Sequence, residues 1–166
     1  MNRSTHPDRG FTLAESLMAT AVLALAVLAI TQAIVSGQMQ TYEALHDQRA
    51  VSLGEALVEE VLALPYADPE GAAGAGPDTG ESNRSRFDNA DDFEGFSESI
   101  GSVVDAAGNA YGKLFQRFGR SVAAKYGQQT VSGFADPIDG LAVTVTVTDD
   151  RGLTWTLSRF IAEPAS

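Results

Sequence analysis

The sequence predicts an α+β chain in which a long N-terminal helix packs against a small antiparallel β-sheet. Three observations predict it. From Leu17 to Val35 the chain is apolar except for threonine hydroxyls and Gln32, and no charge appears between Glu15 and Glu43. Helical spacing then continues through a polar stretch, with Leu53, Leu57, Val61 and Leu64 falling on one face. Near the C-terminus the period changes to two: Leu141, Val143, Val145 and Val147 alternate with Ala142, Thr144, Thr146 and Thr148.

The first half of the helix reads as a membrane segment. Leu17 to Val35 rises by about 28 Å, close to the roughly 30 Å hydrocarbon core of a bilayer. Its second half is amphipathic, with Glu43, Asp47, Glu55 and Glu59 mostly away from the leucine face. Gly37 and Gly54 each cost about 1 kcal/mol relative to alanine inside a helix, so bending or fraying is expected near them. Pro65, followed by Pro69 and Gly71, stops the helix. From Thr12 to Leu64 the rod spans roughly 80 Å. Residues 67–86 are small and polar with no apolar period, which reads as a long mobile loop.

A hairpin closes the chain. Asp149-Asp150-Arg151-Gly152 forms its turn, and Leu153, Trp155 and Leu157 alternate with Thr154, Thr156 and Ser158 on the return strand. Leu114 to Tyr126 supplies a third strand, its apolar stock being Phe115, Phe118, Val122 and Tyr126. A hairpin alone is marginally stable, so the sheet needs a surface to cover its apolar face. The amphipathic half of the helix is the available one.

The N-terminal junction carries a motif. Ten residues, Met1-Asn-Arg-Ser-Thr-His-Pro-Asp-Arg-Gly10, run directly into Phe11-Thr-Leu-Ala-Glu15 and the apolar helix. This arrangement resembles the leader of type IV pilins and type II secretion pseudopilins: a short charged leader ending in glycine, then Phe-Thr-Leu-x-Glu and a hydrophobic helix. The resemblance covers about the first thirty residues. It implies a pilin-like fold and cleavage between Gly10 and Phe11 by a prepilin peptidase that methylates the new terminal amine. It implies further that Glu15, the fifth mature residue, pairs with the amine of Phe11 on a neighbouring subunit and sets the register of assembly. The implied partners are the peptidase, other pilin or pseudopilin subunits, an inner-membrane assembly platform and the membrane. The implied address is the bacterial inner membrane, crossed once, with the C-terminal part in the periplasm or an extracytoplasmic filament. Ala14 and Ser16 stand where family members more often carry large aliphatics, and no proline interrupts the apolar segment, which favours a minor subunit over a major one. The resulting division is a leader over 1–10, an assembly helix over 11–35, a soluble stalk over 36–64, a loop region over 65–100 and a sheet region over 101–166.

Glu15 has a reading of its own beside the resemblance. A carboxylate at the edge of an apolar helix costs about 2.5–3.5 kcal/mol in lipid on insertion scales, so it needs a partner. The positive end of the helix dipole offers only about 0.3–1 kcal/mol. Small residues along the segment, including Ala19, Ala24, Ala26, Ala29 and Ala33, allow close helix approach, although an anchor in lipid can be alanine-rich without associating.

Composition narrows the rest. One modest domain fits beyond the anchor in 166 residues, and the chain has no cysteine. Without the leader, nine Lys and Arg face twenty-one Asp and Glu, a formal charge of −12 that disfavours nucleic acid as a partner. Enzymatic constellations are nearly absent: after leader removal His46 is the only histidine, read as a solvated residue on the helix face between Glu43 and Arg49. Gly108-Asn-Ala-Tyr-Gly-Lys-Leu114 lacks the length and hydroxyl of a phosphate loop. The chain is therefore expected to act mechanically, with no catalytic residue and no resident cofactor. Asp88, Asp91, Asp92 and Glu94 are numerous enough to begin a calcium site, a binding known among some type II pseudopilins, although a solvated acidic turn is the commoner outcome. Trp155 is expected in the core, and Tyr42 and Leu45 fit either core or subunit contacts. Two rival readings remain at this point: a single-pass tethered binding domain in which Glu15 has no assembly role, and a secreted β-domain behind an ordinary signal peptide cut after Ala26 or Ala33.

Overall fold

The computed structural model describes residues 11–69, 71, 74–134 and 136–164. Gly10 and the rest of the leader lie outside the described residues. One α-helix, α1 (Leu13–Leu62), is followed by four strands, β1 (Ser97–Glu98), β2 (Phe118–Gln129), β3 (Ile138–Asp149) and β4 (Thr154–Ala162). Single 3-10 turns lie at Arg84–Arg86, Asp91–Phe93 and Lys113–Phe115. The fold class is α+β, with one long apolar N-terminal helix and a four-stranded antiparallel sheet. The chain forms two compact units that divide within α1, between Leu45 and His46.

The first unit is helix alone. Thr12 caps it: its Oγ1 accepts the Glu15 N–H at 3.3 Å, and its carbonyl accepts the Glu15 and Ser16 N–H groups at 3.1 Å. Thr-x-x-Glu at a helix start is the sequence form of a capping box, and this half of it is made. No residue from Leu13 to Leu45 is buried, and α1 is the described helix long and apolar enough to cross a membrane. Its threonine hydroxyls are satisfied within the helix. Thr20 donates to the Ser16 and Leu17 carbonyls at 3.1 and 2.9 Å, Thr31 to Val27 at 2.9 Å and Thr41 to Gly37 at 2.9 Å. The helix runs on through Gly37 without fraying.

The second unit packs the remainder of α1 on the sheet. The strands form an antiparallel meander in the order β1-β2-β3-β4. Leu141, Val143, Val145 and Val147 are all fully buried, as their alternation predicts, and the first three meet Leu57, Val58 and Val61 of α1 with Phe93, Val122 and Ala124. A smaller cluster joins Ala50, Leu53, Phe118 and Val147. Gly54 permits the contact instead of fraying the helix. A Cβ there would lie 2.5 Å from Leu157 Cδ1 and 3.3 Å from Val147 Cγ2.

Three expectations change. The third strand begins at Phe118 and not at Leu114, because Lys113–Phe115 closes a 3-10 turn that places Phe115 against the smaller core cluster from outside the sheet. Leu153 lies in the turn, half exposed, and Trp155 is half-buried at the margin of the core. The stretch read as loop contains β1 and the Arg84–Arg86 turn, and its end is tied down by ions. Arg84 pairs with Glu60 of α1 and with Glu98 of β1, the latter at 3.0 Å, and Glu98 also pairs with the buried Arg120 of β2. Arg120 donates further to the carbonyls of Leu53 (3.1 Å) and Val104 (2.7 Å). Two cations and two anions thus connect helix, turn and sheet with no excess charge, the condition for burying ions at tolerable cost.

Candidate functional site

The motif residues sit at the start of α1. Phe11 is 80 % exposed. Glu15 occupies the third helical position, with its backbone spent on the Thr12 cap and its carboxylate without a partner among the described residues. Glu15 lies at one end of an open apolar stripe with Met18, Ala19, Val22, Leu23 and Ala26, residues spaced three and four apart on one helix face. The two alanines keep that stripe low. The arrangement can accept a second apolar helix alongside and present the carboxylate to a cation carried by it. It holds no nucleophile, base or metal ligand beside that acid.

The acidic loop does not gather as its sequence suggests. Asp91 and Glu94 turn away from Asp88 and Asp92. Glu94 Oε2 accepts the Ala124 N–H at 2.5 Å, and Asp91 takes the Tyr126 hydroxyl. Asp91 is buried and its Oδ1 has no partner, so burial first and the neighbouring Asp92 and Asp68 raise its pKa. Burial and the Asp91 charge push the Tyr126 phenol up to about 12. The residues that do converge are Glu81, Asp88 and Asp92, whose carboxylate oxygens lie within 4.8 Å of one another. Glu81 was not among the expected ligands, since it lies seven residues upstream. Two of these carboxylates are already engaged: Asp92 Oδ2 accepts the Asp88 and Asn89 N–H groups at 2.9 and 3.2 Å, and Glu81 Oε2 accepts the Asp78 N–H at 2.9 Å. One oxygen from each of these three carboxylates supplies at most half of the six to eight that calcium takes. The loop's polar side chains tie its backbone into turns: Asp92 Oδ2 holds the amides that lead into the Asp91–Phe93 turn, Asn89 Oδ1 accepts the Asp92 N–H at 3.1 Å, and the turn carries Phe93 into the core.

His46 is the largest departure. It is buried, not solvated, and its Nε2 lies 2.9 Å from Asp149 Oδ2. Its ring packs against Phe118 (4.6 Å between centroids) and Trp155 (5.7 Å). Asp149, fully buried at the start of the hairpin turn, also accepts Arg151 Nε at 2.8 Å and the N–H groups of Arg151 and Leu153 at 2.9 and 2.8 Å. Burial alone would raise its pKa. The Arg151 and His46 hydrogen bonds and the two amides outweigh it and hold the carboxyl well below the usual range. A His-Asp pair resembles half of a catalytic triad, but no hydroxyl or thiol nucleophile stands at the free imidazole side among these contacts. The pair clamps α1 to the β3-β4 turn.

Comparison with family models, with curated proteins and with solved structures finds no match to the chain.

Proposed function

We propose that this chain is a subunit of a type IV pilus or type II secretion pseudopilus, a minor one, that acts by assembly and not by catalysis. The observation that carries the reading is a juxtaposition: Gly10-Phe-Thr-Leu-Ala-Glu15 leads into a helix whose large apolar residues from Leu13 to Met39 are all 50 % or more exposed. Apolar exposure on that scale demands an apolar environment, lipid before assembly and neighbouring helices after it. Leader removal frees the amine of Phe11 at the same edge where the Glu15 carboxylate lacks a partner. The amine of one subunit and the acid of the next would neutralise each other as the helices align, which gives the acid a purpose that the helix dipole does not. The sheet unit then serves as the pilin-like head, on the periplasmic side of the inner membrane.

Mass spectrometry of the N-terminus tests processing: the reading expects a chain beginning at methylated Phe11. Retained Met1 would indicate a plain membrane tether, and a start after Ala26 or Ala33 a secreted domain. Glu15→Ala tests assembly, with processing and membrane level unchanged and entry into sheared filaments lost. Normal filament yield from that variant would show that the carboxylate sets no register.

A further inference from the structure

The sheet closes one of its edges and leaves the other open. Along the outer side of β2 the chain from Glu94 to Gly101 takes up the backbone groups. Glu94 Oε2 accepts the Ala124 N–H at 2.5 Å, Gly95 donates to the Val122 carbonyl at 3.2 Å, Phe96 accepts the Val122 N–H at 2.9 Å, and Gly101 donates to the Phe118 carbonyl at 3.2 Å. β4 ends the strand order on the other side, with no strand beyond it among the described residues. Two bonds fix the phase of its ladder: the Asp149 N–H to the Leu153 carbonyl at 3.0 Å and the Glu163 N–H to the Asp139 carbonyl at 2.8 Å. Bonded pairs in an antiparallel ladder recur every second residue, so Trp155, Leu157, Arg159 and Ile161 spend their backbone groups on β3. Thr154, Thr156, Ser158, Phe160 and Ala162 turn theirs outward.

The open edge is long and lightly guarded. Its nine residues span about 30 Å and include no proline, glycine or acid. Edges of that kind are templates for pairing with another chain unless a charge or a proline blocks them. The one guard here is Arg159, exposed, whose Nη1 donates to the outward Ser158 carbonyl at 2.9 Å. No carboxylate pairs with it among the described residues. On the same side of the strand, Trp155, Leu157 and Ile161 are only half-buried, whereas Val147, Val145 and Leu141 opposite them on β3 are fully buried. The rim thus combines free backbone groups, three partly covered apolar side chains and one unmatched cation.

We infer that β4 receives, as a fifth strand, an extended segment of a different subunit of the filament, one that sets apolar side chains against Trp155, Leu157 and Ile161 and an acid against Arg159. In strand addition the backbone bonds supply affinity and the alternate side chains supply specificity. The acid draws the guanidinium off the Ser158 carbonyl, which frees that acceptor for the incoming strand, and opposite charges across a strand pair favour the register. A second copy lacks the matching chemistry. β4 carries no acid, so another β4 laid along its full length leaves two guanidinium groups unmatched on one rim. A single open edge takes a single segment, in keeping with a minor subunit set among unlike neighbours. The inference rests on the filament reading for the identity of the partner.

Full-length chain with p-benzoylphenylalanine in place of the exposed Thr156, expressed in its own host and irradiated, should link to one other protein. Mass spectrometry of the linked peptide should place it in a second filament subunit, within a run that alternates apolar residues with an acid. Arg159→Glu should cut the linked yield at least about tenfold, because like charges set face to face suppress pairing strongly, and Arg159→Lys should keep most of it. Ser158→Pro removes an N–H that β3 does not use, a change edge strands tolerate, and should also abolish the link. Trp155 emission unchanged from the parent shows that each variant is folded. A link to a second copy of this chain, no link from filaments that contain the chain, or a yield indifferent to Arg159→Glu or Ser158→Pro overturns the inference and leaves the filament reading standing. A link to a protein outside any filament, with Met1 retained, overturns both.

Discussion

Asp149→Asn is the substitution on which the second unit should depend most. The carboxylate accepts four hydrogen bonds, from His46, Arg151 Nε and two backbone N–H groups, with its side chain fully excluded from solvent. An amide keeps one acceptor oxygen and turns two N–H donors toward groups that are themselves donors. If Asn keeps the two backbone N–H groups on its oxygen, the Arg151 guanidinium loses its partner and its hydrogen bond becomes a donor-donor clash. Removing one partner of a buried ionic pair costs about 3–5 kcal/mol, and the half-exposed Arg151 can retreat to water, so about 3 kcal/mol is expected. With a urea dependence of about 1–2 kcal/mol/M, the unfolding midpoint should fall by about 1.5–3 M. Trp155, the only tryptophan, lies 5.7 Å from the His46 ring and reports the transition by fluorescence in detergent-solubilised full-length chain. The pH dependence supplies an independent sign. A carboxyl held below its ordinary value stabilises the native state in full above an unfolded pKa of about 3.9, and that contribution is lost as pH falls through the depressed folded value. The variant should therefore lose part of the parent's acid limb, the remainder belonging to Asp105 and Asp150, which are lowered by hydrogen bonds from Asn109 and Arg117 respectively. A variant within about 0.5 kcal/mol of the parent at neutral pH, the scale of an ordinary surface change, would refute the clamp.

Asp91 should behave with the opposite sign: its pKa is raised, so the native state gains stability as pH falls from neutral through that raised value, and Asp91→Asn should flatten the slope. Unfolding midpoints at pH 7 and 5 measure this, and an unchanged slope would remove Asp91 as its source. Gly54→Leu should destabilise, because overpacking against Leu157 and Val147 costs about 1–3 kcal/mol against a helix-propensity gain of about 1 kcal/mol. A gain in thermal stability would show that Leu157 yields freely.

The features legible in the sequence are those fixed by local period. Leu141 to Val147 alternate because one face of β3 is buried, and Leu53, Leu57 and Val61 recur because one face of α1 is. Thr12-x-x-Glu15 has the local form of a cap, and its Thr12 half is made. What period does not carry is long-range pairing of polar groups. His46 and Asp149 are 103 positions apart, and nothing around His46 announces that its helix face turns from open to covered at that residue. Glu98, Arg120 and Arg84 likewise read as surface charges until the sheet brings them together. Glycine misleads in the same way: Gly54 looks like a weakness of the helix, and its function appears only when Leu157 of β4 is placed against it. Acidic residues crowded in sequence, such as Asp91 and Asp92, can face opposite ways in one turn.

The two units solve the burial problem differently, and that difference bears on assembly. From His46 onward, α1 gains its stability by covering Leu53, Leu57 and Val61 with the sheet, the usual source of helix stability in proteins. Before His46 no residue is covered, yet the Thr20 and Thr31 hydroxyls are returned to backbone carbonyls of the same helix, so between Leu13 and Val35 little polar demand remains except Gln32 and Glu15. Gln32 is neutral, and an amide finds partners in lipid or between helices at modest cost. Glu15 is the group that a lone helix in a bilayer leaves unmatched. A tether would be better served by glutamine or alanine at that position, since either keeps the helix and removes the expense of the charge. On the proposed reading the acid would be matched when a cation arrives at its depth, and cleavage after Gly10 would supply one there, the amine of another Phe11.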